Sequence, residues 1–242
     1  MNLIVDIGNS FTKVAIFSGD TLVKHYLHEA FSNEDLTPYM DEYGIDKAII
    51  SSVSQDAAKV AEHLEKKKCK SITLSSATAL PFHVQYQTPK TLGSDRIAAV
   101  AGGQHLFPGQ PVLIIEAGTC VTYDITTEKG SYLGGAISPG LKMRYKAMHE
   151  FTKNLPLLEP VAAAELTGTS TAASIHSGAL NGLINEMDGM IDKFKEMYPH
   201  LRIIISGGDI NYFDKKLKNN IFARPNIVLI GLNQILKYNF EN

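Results

Sequence analysis

Two carboxylates occupy corresponding places in two similar stretches of this 242-residue sequence. Asp6 and Glu116 each end an apolar run, and each is followed one residue later by a glycine, Gly8 or Gly118, and then by a short polar side chain. A glycine permits a tight turn, and the converging backbone N–H groups of such a turn bind phosphate oxygens. A carboxylate beside the turn suits a hard cation, since hard cations take oxygen ligands. The pair indicates phosphate and metal chemistry, whereas either stretch alone is also compatible with an ordinary turn.

Neighbouring side chains add donors and charge to these turns. Lys13 follows Asp6 by seven residues and brings a charge able to reach a terminal phosphate. Asn9, Ser10 and Thr119 add amide and hydroxyl donors. The two standard nucleotide signatures, G-x-x-x-x-G-K-[ST] and a G-x-G-x-x-G that follows a strand, are both missing from the sequence, so P-loop and Rossmann folds lose their main support.

The elements that position these residues follow from the spacing of apolar and turn-forming residues. This spacing predicts strands over residues 3–6, 13–17, 21–28, 48–53, 71–74, 112–116, 121–125 and 202–205. It predicts helices over residues 34–43, 55–68, 94–106, 141–151, 171–197 and 231–238.

The strand-and-helix order starts again in the middle of the chain. Residues 4–9 align without a gap to residues 114–119, and the same offset matches Thr12 to Thr122. We interpret this as a duplication, although strand-acid-turn is common enough to match by chance. The Pro- and Gly-rich break at 108–111 predicts an N-terminal domain of residues 1–110 and a C-terminal domain of residues 111–242, whose last helix is able to pack back on the first domain. The expected fold is α/β, with two similar domains facing a nucleotide cleft.

Composition narrows the class of protein. A formal net charge of −2, with 44% apolar and 20% charged residues, is typical of a globular chain, and no basic run exceeds residues 66–68, so no nucleic-acid partner is expected. Cys69 and Cys120 lack metal-ligand spacing and fit a reducing compartment. Asp6 interrupts the first apolar run, and no stretch approaches the ~18 apolar residues of a membrane helix, so we expect a cytoplasmic protein without a membrane partner.

A further carboxylate stands where a helix is predicted to begin. Gly93, Ser94 and Asp95 precede the apolar run 97–101, which favours Ser94 or Asp95 as a helix cap. A helix N-terminus would also keep this carboxylate ionised and available as a proton acceptor, so the two roles are compatible. Arg96 could pair bidentately with a substrate carboxylate or lie on the surface as an ordinary arginine.

Two glycine-rich segments and the side chain of Tyr86 each allow two interpretations. Residues 134–140 are interpreted as a loop that lets backbone approach a ligand, or as a plain connector between a strand and a helix. Residues 206–209 follow an apolar strand and could accept an adenine against bare backbone, or form a simple turn. Tyr86 is either a substrate contact or a packed loop aromatic, and His176 is interpreted as structural.

Three blocks of this sequence resemble the signature blocks of type III pantothenate kinases. They are D-I-G-N-S at 6–10, G-S-D-R at 93–96 and G-G-A-I-S-P-G at 134–140, and their order and spacing also fit, as do residues 155–156 and 171–182. The resemblance spans most of the chain. It implies ATP-dependent phosphorylation of pantothenate to 4′-phosphopantothenate, the first step of coenzyme A biosynthesis, on a duplicated actin-like (ribonuclease H-like) fold. It also implies Mg²⁺ with ATP, a monovalent cation (K⁺ or NH₄⁺), and a homodimer.

The resemblance also assigns roles to residues. It implies ATP contacts from Asp6, Ile7, Gly8, Asn9, Ser10, Phe11, Thr12, Lys13 and Thr119. It implies pantothenate contacts from Tyr86, Gly93, Ser94, Asp95, Arg96 and Thr171, with Asp95 as the general base. Glu116 would bind the monovalent cation, at a position where the family usually has the shorter aspartate, and Cys120 replaces a small alanine-like residue.

Two alternatives and one assembly prediction complete the expectations. The acid-x-Gly turns are shared with other kinases of the superfamily, such as sugar or acetate kinases, and the change at Glu116 would suit a non-catalytic regulatory member. Ser174, Gly178 and Gly182 recur every four residues, and Ala179 is predicted to widen this small-residue stripe. Small side chains allow two helices to approach closely, so the stripe predicts a dimer contact, with packing inside its own domain as the alternative.

Overall fold

A computed structural model describes residues 1–8, 11–52 and 57–241 of the chain. The chain divides into two compact units, one formed by Met1–Leu106 with Ile227–Asn242 and the other by Phe107–Asn226. The division therefore lies four residues before the one assigned from the sequence, and the last helix belongs to the first unit. No helix in the described ranges is both long enough and apolar enough to cross a membrane.

The elements follow one another in this order. The first part of the chain forms β1 (Asn2–Ile7), β2 (Thr12–Ser18), β3 (Thr21–His28), α1 (Leu36–Tyr43), β4 (Lys47–Ser52), α2 (Ala57–Lys66), β5 (Lys70–Thr73), β6 (His83–Val84) and α3 (Ser94–Leu106). The remainder forms β7 (Val112–Ala117), β8 (Cys120–Thr126), β9 (Ser131–Pro139), α4 (Leu141–Glu150), α5 (Thr171–His176), α6 (Gly182–Met197), β10 (Arg202–Ser206), β11 (Phe222–Ala223) and α7 (Ile227–Glu241).

The two units repeat one sheet topology. In the first unit the strand order is β3-β2-β1-β4-β5, and in the second it is β9-β8-β7-β10-β11. The central strand of each sheet, β1 or β7, pairs antiparallel with the strand that follows it and parallel with the later strand on its other side. Identical order and direction confirm the predicted α/β duplication.

Strand alternation decides which residues of β1 serve the core and which serve a site. Leu3, Val5 and Ile7 pack with α1 and α2 in one buried cluster. The intervening residues, Asn2, Ile4 and Asp6, face the other side, where α3 and α7 lie. Because that face packs against helices, a carboxylate at its end calls for a specific chemical reason.

Helices α3 and α7 contact each other through their backbones. A Cβ atom at Gly231 would lie 1.7 Å from the carbonyl oxygen of Ala98, and one at Gly102 would lie 2.5 Å from the carbonyl oxygen of Ile227. Asn233 of α7 accepts a 2.8 Å hydrogen bond from Asn2 on the sheet. These contacts fix α3, and with it the residues of its first turn.

Two predicted segments differ from the structure. The helix predicted over 171–197 is interrupted by a π-helical turn, Ser177–Asn181, between α5 and α6. The loop interpretation of 134–140 is wrong for its first six residues, which belong to β9. Glycine is required there by strand pairing: Gly134 has a φ of +106° beside a bulge, and a Cβ at Gly135 would lie 1.6 Å from the carbonyl oxygen of Tyr123.

Candidate active site

Asp6 ends β1 between two polar residues of the neighbouring strands. Lys13 on β2 and Ser51 on β4 are its register partners, so the three side chains lie on the same face. Burial raises the pKa of Asp6, whereas the Lys13 charge and a hydrogen bond from Ser51 lower it, and the nearby Asp95 charge raises it further. A buried carboxylate beside a second carboxylate favours a positive counter-charge, which suits a metal–phosphate ligand.

Asp95 is exposed in the first turn of α3. Its Oδ1 accepts a 2.8 Å hydrogen bond from the backbone N–H of Arg96. The same oxygen would lie 2.4 Å from a Cβ at Gly93, so a side chain there would displace the carboxylate, which folds back over that position. Asp95 thus accepts a helix N-terminal N–H group and still faces solvent, which accommodates both of its predicted roles.

Arg96 is buried rather than on the surface. Only 6% of its surface is exposed, so the interpretation as an ordinary surface arginine is wrong. Its guanidinium carbon lies 5.7 Å from the centre of the half-buried Tyr86 ring, within cation–π range. Tyr86 is therefore a packed aromatic that also contacts the predicted substrate arginine.

The remaining described residues of the β1–β2 turn and its flanking strand ends differ in which side of the sheet they face. The N–H of Gly8 donates to the carbonyl oxygen of Phe11 at 3.1 Å, and the side chain of Phe11 is exposed. Ile7 and Thr12 face away from Asp6 and border a cavity of about 340 Å³ on the opposite side of the sheet, together with Lys59. Only backbone groups of Ile7 and Thr12 can therefore serve a ligand beside Asp6.

Two of the predicted ATP contacts, Asn9 and Ser10, fall outside the described residues.

Glu116 repeats the position of Asp6 in the second unit. It ends β7 between Thr122 on β8 and Ser206 on β10. Thr122 is therefore the counterpart of Lys13, which makes the gapless match of Thr12 to Thr122 wrong. The β1–β2 turn is one residue longer than the β7–β8 turn, and a gapless alignment hides that difference.

The β7–β8 turn is a tight one enclosed by backbone. The N–H of Gly118 donates to the carbonyl oxygen of Cys120 at 2.9 Å, and Thr119 at the turn is exposed. A Cβ at Gly140 would lie 2.0 Å from the carbonyl oxygen of Gly118, and one at Gly207 would lie 2.0 Å from that of Ala117. Both glycines are needed so that two segments can lie against the turn.

The two strand neighbours of Glu116, Thr122 and Ser206, each carry a hydroxyl. Ser206 is fully buried, and its Oγ has no hydrogen-bond partner within the described part of the chain. Asp209 donates its backbone N–H to the carbonyl oxygen of Ala117 at 3.0 Å. Burial raises the pKa of its carboxyl group above the usual value, although the Lys142 charge partly opposes this shift. A carboxylate and an unpartnered buried hydroxyl fit a cation with oxygen ligands. The described ranges hold no cluster of three His, Cys, Asp or Glu residues, so such an ion would need ligands beyond those side chains.

A polar network at the end of β9 escaped the sequence analysis. Arg144 of α4 donates from Nε to the carbonyl oxygen of Pro139 at 3.0 Å and forms an ion pair with Glu186 of α6. Tyr123 donates to the same glutamate at 3.0 Å. The network holds the residue before Gly140, but no local pattern signals it because Glu186 follows Arg144 by 42 residues.

Residues of α5 and the π turn are open on one side. Thr171 is exposed, and in the described part of the chain no atom outside the local helix backbone lies within 4 Å of a Cβ built at Gly178 or Gly182. Ala179 is only 2% exposed and packs in the core of its own unit, so its predicted membership of the small-residue stripe is wrong. His176 hydrogen-bonds the hydroxyl of Tyr145 at 2.9 Å, in keeping with a structural role.

Comparisons with known proteins give both the fold and the family. A Campylobacter jejuni protein named as a Baf family transcriptional activator matches with a TM-score of 0.62 and 22% identity, over 99% of this chain and 100% of its own. A glucokinase from an Antarctic psychrotroph matches with a TM-score of 0.52 and 12% identity, over 98% of each chain. At these identities the likeness concerns the fold alone.

Relatives found by sequence comparison share a much higher identity with this chain. The type III pantothenate kinase of Christiangramia forsetii is 45% identical over 244 residues, which cover 99% of each chain. The sequence profile of the type III pantothenate kinase family matches residues 2–193.

The duplicated sheets define an α/β protein with the actin-like fold. The chain belongs to the type III pantothenate kinase family. It is a phosphotransferase with an alcohol group as acceptor, which phosphorylates pantothenate in coenzyme A biosynthesis. The family implies ATP with Mg²⁺ as phosphoryl donor. The sugar-kinase, acetate-kinase and regulatory alternatives have no comparable support.

Proposed function

We propose that Asp95 is the general base for pantothenate phosphorylation in this enzyme. The primary hydroxyl of pantothenate donates its proton to the Asp95 carboxylate while its oxygen bonds to the γ-phosphorus of ATP, and ADP leaves. The observation that carries this role is the exposed Asp95 carboxylate, oriented by the N–H of Arg96 and close enough to raise the pKa of Asp6. Phosphoryl transfer demands positioning and charge neutralisation more than strong bases, which this cluster can supply.

The substrates are assigned to the residues around this carboxylate. Pantothenate has a carboxylate, and the buried guanidinium of Arg96 suits bidentate binding of such a group. Tyr86, Gly93, Ser94 and Thr171 complete the proposed pantothenate contacts. ATP is assigned to residues 6–13 and to Thr119. When bound with ATP, Mg²⁺ supplies neutralisation of phosphate charge, and Asp6 and Lys13 orient the charges beside it.

A monovalent cation is proposed at Glu116. The buried hydroxyl of Ser206 lies on the strand next to it and supports an oxygen-rich site for K⁺ or NH₄⁺. Glutamate keeps the carboxylate that aspartate would offer as a ligand, and its side chain is one methylene longer.

A homodimer is proposed through the open stripe of Ser174, Gly178 and Gly182. Among the described residues outside this helical segment, no atom lies within 4 Å of a Cβ built at Gly178 or Gly182, which leaves room for a second helix. In such a dimer Thr171 would complete the substrate pocket of the other subunit. The cytoplasmic location remains a prediction from the sequence.

The reaction is tested by ADP release from ATP in the presence of pantothenate, glucose, acetate or no acceptor. We expect rapid release with pantothenate alone. Equal release in all four reactions would indicate ATP hydrolysis and contradict the proposed acceptor.

A further inference from the structure

Ser51 is a buried hydroxyl that the residue roles above do not use. It is 1% exposed at the end of β4, after the buried apolar residues Ile49 and Ile50. An alanine would fill such a place without a polar group, and a buried hydroxyl is unfavourable unless it forms hydrogen bonds. The partners of this hydroxyl are therefore informative.

The hydroxyl of Ser51 lies between the two carboxylates of the site. It is the register partner of Asp6, and it hydrogen-bonds the Asp6 carboxylate. Its Oγ also lies 3.2 Å from the Oγ of Ser94, within hydrogen-bond distance, and its single proton is donated to one of the two partners at a time. Ser94 is the first residue of α3 and immediately precedes Asp95. One side chain on the sheet thus connects the strand end that carries Asp6 to the helix turn that carries Asp95.

A connection of this kind is needed because the like-charged carboxylates of Asp6 and Asp95 lie in one cluster. The Asp95 charge opposes ionisation of Asp6, so the two carboxylates repel each other. The backbone contacts of Gly231 with Ala98 and of Gly102 with Ile227 fix α3 against α7, three and seven residues after Asp95, and neither involves a side chain of the first turn. The Ser51 side chain joins this strand end to the first residue of the helix.

We propose that Ser51 is a positioning residue, whose hydroxyl sets the place of the Asp95 carboxylate relative to Asp6 through Ser94. This inference rests on the proposed role of Asp95. It assigns no substrate contact to Ser51, and it predicts that Ser51 affects turnover more than binding. Misplacement of a reacting group by about 1 Å costs up to about 10²-fold in rate, and loss of one of several restraints should cost less.

The test compares Ser51→Ala with wild type in steady-state kinetics. We expect kcat to fall about 10-fold, while the KM values for ATP and pantothenate stay within about twofold. Ser71→Ala is the matched control, since Ser71 lies on β5 of the same sheet, opposite Ala48 at the other end of β4. That variant should keep wild-type kcat. A folded Ser51→Ala enzyme with kcat within twofold of wild type, or an equal loss in Ser71→Ala, would overturn the proposal.

A double-mutant cycle separates positioning from general destabilisation. In an Asp95→Asn background the place of the carboxylate no longer matters, so adding Ser51→Ala should change kcat by less than twofold. A further 10-fold loss in that background would show that Ser51 acts elsewhere. If Ser51→Ala does not fold, Ser51→Cys retains the volume with a weak donor and is expected to give the same selective loss of kcat. Wild-type activity of Asp95→Asn alone would instead refute the proposed base, which keeps the two failures distinct.

Discussion

Gly140 provides a quantitative test of how the second acid-glycine turn is built. Its φ of −68° is accessible to any residue, so replacing it by alanine adds no backbone strain. The added Cβ would nevertheless lie 2.0 Å from the carbonyl oxygen of Gly118 and 2.5 Å from that of Thr119. Ordinary contacts between these atom types are about 3.5 Å, so either the turn or the start of α4 must move by more than about 1 Å.

The expected magnitudes follow from that displacement. Overpacking against backbone costs about 1–3 kcal/mol, and at about 2–4 °C per kcal/mol the midpoint Tm of Gly140→Ala should fall by roughly 2–12 °C. Because Thr119 is assigned to ATP, we expect kcat/KM for ATP to fall at least about 10-fold, with a smaller effect on the KM for pantothenate.

Differential scanning calorimetry and initial rates with each substrate varied in turn measure these effects. Gly189→Ala is the matched control, because Gly189 is exposed on α6 and no described atom beyond the local helix backbone lies within 4 Å of its Cβ position. That control should be neutral or slightly stabilising, since alanine is favoured over glycine in helices by about 1 kcal/mol. Unchanged Tm and ATP kinetics in Gly140→Ala would refute the close approach on which this account of the turn depends.

The remaining predictions concern the cation, the dimer and stability. If Glu116 binds a monovalent cation, activity should rise with K⁺ or NH₄⁺ and stay low in Na⁺ alone. The Glu116→Asp variant should remain active and cation-dependent. Equal rates in the three salts would contradict the cation site. Gly178→Leu should weaken dimerisation in sedimentation and, through Thr171, raise the KM for pantothenate more than that for ATP; a fully active wild-type monomer would contradict the shared pocket. Hydrogen bonds from Lys237 and Gln234 hold the pKa of Asp20 below its usual value, so this contact stabilises the fold above about pH 4 and is lost as pH falls further. Asp20→Asn should therefore cost about 0.5 kcal/mol at pH 7, an amount limited by solvent screening, with no difference near pH 2; a loss independent of pH would exclude the ionic contribution.

Local sequence was sufficient to predict the strand ends that carry the acidic residues. Asp6 and Glu116 each follow a continuous apolar run, and such a run followed by a glycine turn predicts a buried strand and its end without knowledge of the rest of the chain. Repetition of that pattern was enough to predict two similar α/β domains, but not the order of strands in their sheets.

Features that depend on pairing between distant segments were not predictable in this way. Ser51 stands beside Asp6 because β4 pairs in parallel with β1, and no local spacing gives that register. The only signal was a pair of serines at the end of an apolar strand. Gly135 was misinterpreted as part of a loop because the close approach that requires a glycine comes from Tyr123 on the adjacent strand.

The boundary between the units shows the same limit. Packing of the last helix on the first domain was only one possibility from the sequence, and the place of α7 in the first unit depends on Gly231 contacting Ala98 across more than a hundred residues. A division based on the Pro- and Gly-rich break alone follows the chain, whereas the observed units follow contacts.

Turnover by Asp95→Asn tests the proposed chemistry most directly. The substitution keeps the size of the side chain and an acceptor for the N–H of Arg96, but it removes the base. With saturating ATP and pantothenate we expect kcat to fall about 10²-fold, at the low end of the range for loss of a general base, because a loose transition state asks little of it. ATP binding measured by calorimetry should remain within about twofold of wild type. A kcat within a few-fold of wild type would contradict the role of Asp95 as the proton acceptor and leave it only a helix-terminal contact.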